Sequence, residues 1–226
     1  MTNSIYQFLV KYHGNWDSIY DAINKREKIL SNETSKISDD YIFIISDQYP
    51  EKLKNILLPP FFLFYKGETS LIDRNVITVV GVPTINELNE LIRLDKNTIL
   101  CFNNKDLTNS MYQTLLASQK KFIVICEGGI DAFKYEYNKN ILLISEYNNS
   151  IDYQSANEQT IERIMFAFAN KIYFAEINEK NYEKITINLK QIKKPIYTNL
   201  CYKSIFDQYK LDPQYVTFIE NIANIV

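Results

Sequence analysis

Two short stretches of this chain have the residue types and spacing to hold an anion. The first is Gly81-Val82-Pro83-Thr84-Ile85-Asn86-Glu87. The run before it, Val76 to Val80, is rich in Val, Ile and Thr and is bounded by a glycine, which suits a buried central strand. Gly81 lets the backbone turn without a Cβ in the way. Thr84 followed by Glu87 is a capping box, so a helix is predicted to open there. Free N–H groups at such a helix start can hold an anion. A single glycine also serves a tight turn with nothing bound, and that is the plainer reading. The second stretch is Cys126-Glu127-Gly128-Gly129-Ile130-Asp131, directly after a predicted strand, Phe122 to Ile125. Gly128 and Gly129 together can form a backbone nest for an anion. Glu127 and Asp131 would repel one.

Other reactive residue types lack the company that chemistry needs. His13 is the one histidine in the chain; no nucleophile or metal ligand pairs with it locally, so it reads as a helix-end polar residue. Cys126 has no nearby His or cation to lower its pKa, so it reads as a buried, inert thiol. The aromatic run Phe61, Phe62, Phe64, Tyr65 could stack bases but reads first as core packing. There is no phosphate-binding loop of the GxxxxGK type, no internal repeat, and no His, Cys and acid cluster with metal spacing. No metal, no cofactor and no catalytic residue are therefore expected.

The elements that must position these residues alternate between strand and helix. Strands are predicted at Val76–Val80, Thr98–Phe102, Phe122–Ile125, Ile141–Ser145 and Lys171–Phe174, with a last one near Pro195 to Tyr197. Helices are predicted near 85–94, 107–119, 158–168 and 179–191, and a final one over about 213–223. That alternation predicts an α/β fold, a Rossmann-like doubly wound and mainly parallel sheet. Its ligand edge would lie at the strands' carboxyl ends, where Gly81, Gly128, Ser145 and Glu176 would gather. Trp16, Ile19, Tyr20 and Ile23 repeat along one helical face. With an earlier helix around Ile5 to Lys11 and Asn15 as N-cap, they predict a small helical N-terminal extension over residues 1–38. The core then spans 39–226.

Several of these stretches, in order and spacing, resemble the DNA-processing protein A family (DprA, also called Smf). They are Tyr49-Pro50, Leu53, Leu57-Leu58-Pro59-Pro60, Leu63-Phe64-Tyr65-Lys66-Gly67 and the strand ending at Gly81. Gly128-Gly129 resembles the family's GG-L-D turn, and Leu143-Ile144-Ser145-Glu146-Tyr147 its L-L-S-E-Y/F segment. Glu162 to Ile177 resembles its RNR-led helix and strand, with Arg163 matching the second arginine. The resemblance covers about Tyr41 to Tyr197. Three departures stand out. Pro83 occupies the position of a family arginine. Cys101 to Asp106 keeps neither glycine of the matching motif. Asn178 to Tyr182 replaces a serine- and glycine-rich turn. The family's C-terminal winged helix has no counterpart.

The resemblance implies a non-enzymatic protein that binds single-stranded DNA, helps load a RecA-type recombinase in DNA uptake or recombination, and forms a homodimer. The DNA ligands it leaves are Gly81, Thr84, Lys105, Gly128, Gly129 and Arg163. Arg163 sits about 200° around the helix from Ile161, so it is either a solvated surface arginine or a surviving phosphate ligand. With the other pocket groups gone, DNA binding is expected to be weak. Two other readings stay open. One is a nucleotide-binding enzyme related to the nucleoside phosphoribohydrolases. The other is a degenerate scaffold that has lost DNA binding.

Composition agrees with a substantial core and gives no sign of a polybasic surface. The chain has 226 residues, 46% of them hydrophobic, a net charge of −2 and a pI near 5.6. A dedicated nucleic-acid binder usually carries a basic excess, so any DNA contact must be local. No apolar run reaches the roughly 18 residues of a membrane helix, and the first residues lack the features of a signal peptide. Cys101, Cys126 and Cys201 form neither a disulfide framework nor a zinc pattern, which fits a reducing cytoplasm. The bias toward Ile, Asn, Lys and Tyr, with only five glycines, suggests an AT-rich genome.

Overall fold

The computed structural model describes residues 2–28, 39–149, 158–178, 193–209 and 216–225. Helices α1 (Thr2–Lys11) and α2 (Trp16–Asn24) open the chain. Asn15 caps α2 as the sequence predicts, its side chain accepting the N–H of Ser18 at 2.9 Å. The pair docks on the core. Tyr6, Phe8 and Leu9 share one apolar cluster with Phe43 and Phe62, Trp16 stacks on Phe61 with ring centres 5.2 Å apart, and its indole N–H donates to the Pro59 carbonyl at 2.8 Å. The aromatic run that could have stacked bases is thereby spent on packing: Phe61, Phe62 and Phe64 are buried.

The described strands are β1 (Tyr41–Phe43), β2 (Phe62–Lys66), β3 (Asn75–Val80), β4 (Thr98–Asn103), β5 (Phe122–Ile125), β6 (Ile141–Ser145), β7 (Lys171–Phe174), β8 (Ile196–Asn199) and β9 (Val216–Ile219). They form one sheet in the order β1-β2-β6-β5-β4-β3-β7-β8-β9. Every pair from β6 across to β9 is parallel. β2 joins β6 antiparallel, and β1 joins β2 likewise. The chain winds outward from β3 through β4, β5 and β6, then returns to β3's other side and winds away through β7, β8 and β9. β3 and β7 are thus the topological switch point, where open α/β sheets leave a crevice. The fold is the doubly wound α/β sheet that the alternation of elements predicts.

Burial explains why these strands read as unbroken apolar runs. Side chains alternate across a strand, and both faces of a parallel sheet are covered. Ile77 and Val79 of β3 join Leu100, Phe102, Phe122 and Val124 on one face. There they meet Leu88 and Leu91 of α4 (Ile85–Arg93) and Met111 and Leu115 of α5 (Asn109–Ala117). Val76 and Val80 join Ile99, Cys101, Ile123 and Ile125 on the other face, under Ile161, Ile164, Met165 and Phe168 of α6 (Glu158–Phe168). Each such side chain contributes about 1.5–3 kcal/mol of transfer free energy. Thr78 is fully buried among them, and its hydroxyl donates to the Met165 carbonyl at 2.8 Å. Two lysines close helix ends. Lys120, 8% exposed, donates to the carbonyls of Ile92, Leu94 and Asp95, and Lys52 donates to those of Ile72 and Phe168. Burial pushes both ammonium groups below the usual lysine value.

One end of the fold departs from the sequence reading. Within its described part, from Val216 on, the predicted helix over 213–223 is instead strand β9 and a single tight turn, Ile222–Asn224. The spacing of Phe218, Ile219 and Ile222 fits a helix, but Val-Thr-Phe-Ile is also a strand-forming run. Beside β8 it finds backbone partners along its length, from Val216 opposite Ile196 to Ile219 opposite Asn199. β8 is therefore not the last strand. Ile222 and Ile225 are buried in the same apolar cluster as Leu88 and Leu91 of α4. The helix predicted near 179–191 lies outside the described residues.

Candidate nucleic-acid interface at the carboxyl edge of the sheet

Gly81, Gly128, Ser145 and Glu176 all fall at the carboxyl end of the parallel strands, in two groups on either side of β4. On one side Gly81 and Glu176 flank the switch point. On the other, the Ser145 hydroxyl accepts the Gly129 N–H at 3.2 Å and donates to the Cys126 carbonyl at 2.9 Å. The turn after β4 links the two. Its Asp106 Oδ2 accepts the Gly81 N–H at 3.3 Å, and Lys105 pairs with Glu127. Gly81, Asp106, Lys105, Glu127, Gly129 and Ser145 thus form one row.

Gly81, Thr84, Lys105, Gly129 and Arg163 each have a partner inside the chain. Thr84 is the capping-box residue: its hydroxyl and N–H both donate to Glu87 Oε2 at 2.8 Å, and its oxygen accepts the Glu87 N–H at 3.2 Å. Glu87 Oε1 accepts the Tyr173 hydroxyl at 2.6 Å, tying α4 to β7. Gly128 and Gly129 both have positive φ, 76° and 107°, which favours glycine at the turn. Around them Asn149 Oδ1 takes the Asp131 N–H at 2.9 Å.

Arg163 corrects the sequence reading most. It is not a solvated surface arginine. Its side chain is 12% exposed and pairs with Glu146 Oε1 at 2.6 Å. Its Nε–H donates to the Leu58 carbonyl at 2.8 Å. Tyr49 lies in the same buried region, its hydroxyl donating to the Pro60 carbonyl at 2.8 Å. Four separate sequence signals, Tyr49-Pro50, Pro59-Pro60, Ser145-Glu146 and Arg163, therefore converge on one internal knot. Burial pushes the Glu146 carboxyl above the usual carboxylate value, with Arg163 pulling the other way. Its Oε2 is buried without a hydrogen-bond partner among the described residues.

Sequence reasoning missed the acids as a set. β4, β5, β6, β7 and β9 are each followed within three residues by one: Asp106, Glu127, Glu146, Glu176 and Glu220. That spacing was the available signal. At the switch point itself lies a cleft of about 410 Å³, with Glu87, Glu90, Glu176 and Glu220 in its wall beside Val82 and Tyr202. Such a wall disfavours phosphate. Cys126, by contrast, is as the sequence reads: buried, with its thiol pushed up to about 12 by burial. Among the described residues no group of His, Cys, Asp and Glu could hold a metal ion, and no helix is long and apolar enough to cross a membrane.

Residues 40–93, from β1 through β3 and Gly81 to the end of α4, match the family described as DNA recombination-mediator protein A. This segment, 54 of the chain's 226 residues, is similar to the DprA family. No curated protein matches the chain. Among solved structures, DprA from Streptococcus pneumoniae is similar at TM-score 0.66 and 16% identity, over 98% of this chain and 90% of that one. DprA from Helicobacter pylori, described by its single-stranded DNA binding mode, is similar at TM-score 0.61 and 16% identity, over 84% of this chain and 95% of that one. At that identity the likeness is one of fold. The matched segment supplies Tyr49, Leu58, Pro60, Gly81, Thr84 and Glu87, and so part of the internal knot and one wall of the switch point.

Proposed function

We propose that the chain is a DprA-type DNA-processing protein that binds single-stranded DNA weakly, through backbone N–H groups and Lys105 at the carboxyl edge of the sheet. One observation carries this reading: the segment similar to the DprA family, residues 40–93, delivers β3, Gly81 and the start of α4 to the switch point. The single-stranded DNA binding of the Helicobacter pylori relative supports the ligand class. The protein acts by binding rather than catalysis, in the cytoplasm, as a homodimer that hands the strand to a RecA-type recombinase. The core over 39–226 carries this role, and the helical extension over 1–38 buttresses it.

The test is a titration of labelled oligo-dT and a matched duplex at two salt concentrations. The single strand should bind more tightly than the duplex, and log affinity should fall with log salt at a slope of roughly −1 to −2, the signature of two or three phosphate contacts. A second reading, a scaffold without DNA binding, is favoured by the internal pairing of the anion ligands. Absence of binding at low salt would select it.

A further inference from the structure

The acids along the carboxyl edge divide into two kinds. Glu87 and Glu146 build the fold: one closes a helix cap and clamps β7, the other is buried under Arg163. Asp106 and Glu127 do something else. Asp106 occupies the Gly81 N–H, the donor that a strand–glycine–helix turn offers to an anion. Glu127 occupies Lys105, a cation with a half-exposed side chain (51%), and also accepts from Asn103 Nδ2 at 3.3 Å. A carboxylate matches the charge and acceptor geometry of phosphate oxygens. Held in short turns on a rigid sheet, it competes at an effective concentration on the order of millimolar or above. An incoming phosphate must displace it.

We infer that Asp106 and Glu127 are in-chain competitors of the DNA phosphate, setting the affinity of this edge for single strands by occupying Gly81 N–H and Lys105. The inference deepens the single-stranded DNA reading and rests on it. Removing Asp106 opens the loop donor, and neutralising Glu127 takes away the carboxylate paired with Lys105.

The experiment is anisotropy of labelled oligo-dT between about 50 and 200 mM salt, on the full chain, with Asp106→Ala, Glu127→Gln and the double variant. Asp21→Asn, on α2, controls for the net charge of either single variant, and Asp17→Asn with Asp21→Asn for that of the double variant. Thermal melts confirm folding, and Asp106→Asn, which keeps the shape of the side chain, replaces the alanine variant if that one unfolds. The double variant should bind about tenfold tighter at the lower salt, the worth of one charge-assisted contact. Its log–log slope should steepen by about 0.7 for the phosphate contact Lys105 gains. Lys105→Ala in the Glu127→Gln background should remove that steepening. Wild type that binds with variants no tighter, or an equal rise in the matching charge control, overturns the inference and leaves the DNA reading standing. No binding by wild type or any variant at low salt defeats the DNA reading itself and the inference with it.

Discussion

Arg163 on α6 holds the carbonyl of Leu58 at 2.8 Å, and Leu58 is a left-handed leucine, φ 56°, directly before two prolines. That conformation costs an L-residue about 1–2 kcal/mol, and a following proline disfavours helical backbone further. The same guanidinium neutralises Glu146. One arginine thus compensates a strained turn and a buried charge together.

Arg163→Ala should therefore cost stability rather than DNA affinity. It leaves Glu146 buried and unpaired and releases the Leu58 carbonyl, a loss of about 3–5 kcal/mol. Urea unfolding followed by circular dichroism measures it. Arg163→Lys keeps the charge but not the planar fork, and should fall between the two. A loss under about 1 kcal/mol, the worth of an exposed ion pair, would mean that the pair is no more than that.

The raised Glu146 carboxyl gives a pH signature. A group whose folded pKa lies above its unfolded value adds stability that is fully present below the unfolded value and is lost as pH rises through the folded one. Glu146→Gln lacks that contribution. The stability of wild type relative to Glu146→Gln should thus grow as pH falls from the raised value toward the ordinary glutamate value, and then level off. Chemical denaturation of both proteins across that range checks the sign; a constant difference would place the carboxyl at its ordinary value.

Three glycines should rank in cost on substitution by alanine. At Gly67 a Cβ would sit 2.4 Å from the Ile141 backbone oxygen. At Gly129 it would sit 2.5 Å from Asn149 Oδ1, with Asn149 backbone close behind. At Gly128 it meets open space, leaving only the positive-φ penalty of about 1–2 kcal/mol. Melting temperatures should fall least for Gly128→Ala, more for Gly129→Ala and most for Gly67→Ala.

Thr84→Ala should lower stability by about 1 kcal/mol, the usual worth of a capping side chain. It should leave oligo-dT affinity unchanged, because the hydroxyl is committed to Glu87. A drop in affinity without a drop in stability would return Thr84 to the DNA-binding set.

How much of this was legible depended on how far apart the partners are in sequence. β3, Gly81 and the Thr84–Glu87 cap are local signals, and all three appear where the sequence puts them. The parallel strands were legible because burial on both faces leaves unbroken apolar runs. β9 was misread because its apolar spacing also suits a helix, and only the vacant edge beside β8 decides between them. The role of Arg163 was hidden because its partners lie 17 and 105 residues away. Asp106 was similarly hidden: its acceptor role depends on β4 lying beside β3, which no spacing within the turn reveals.

The position of β3 bears on how the chain emerges from the ribosome. Its first neighbour, β4, follows at once, but its second, β7, is made only after β5, β6 and α6. Until then the backbone carbonyl of Val80, later bonded to Ala175 N–H at 3.0 Å, and the N–H of Val76, later bonded to Asn170, have no mate. At about 5–20 residues per second, translation leaves this apolar strand open along one side for several seconds. An unpaired apolar edge is a template for association with other chains. Slow synthesis between β6 and β7 should therefore lower the soluble yield of this protein more than an equal delay after β9.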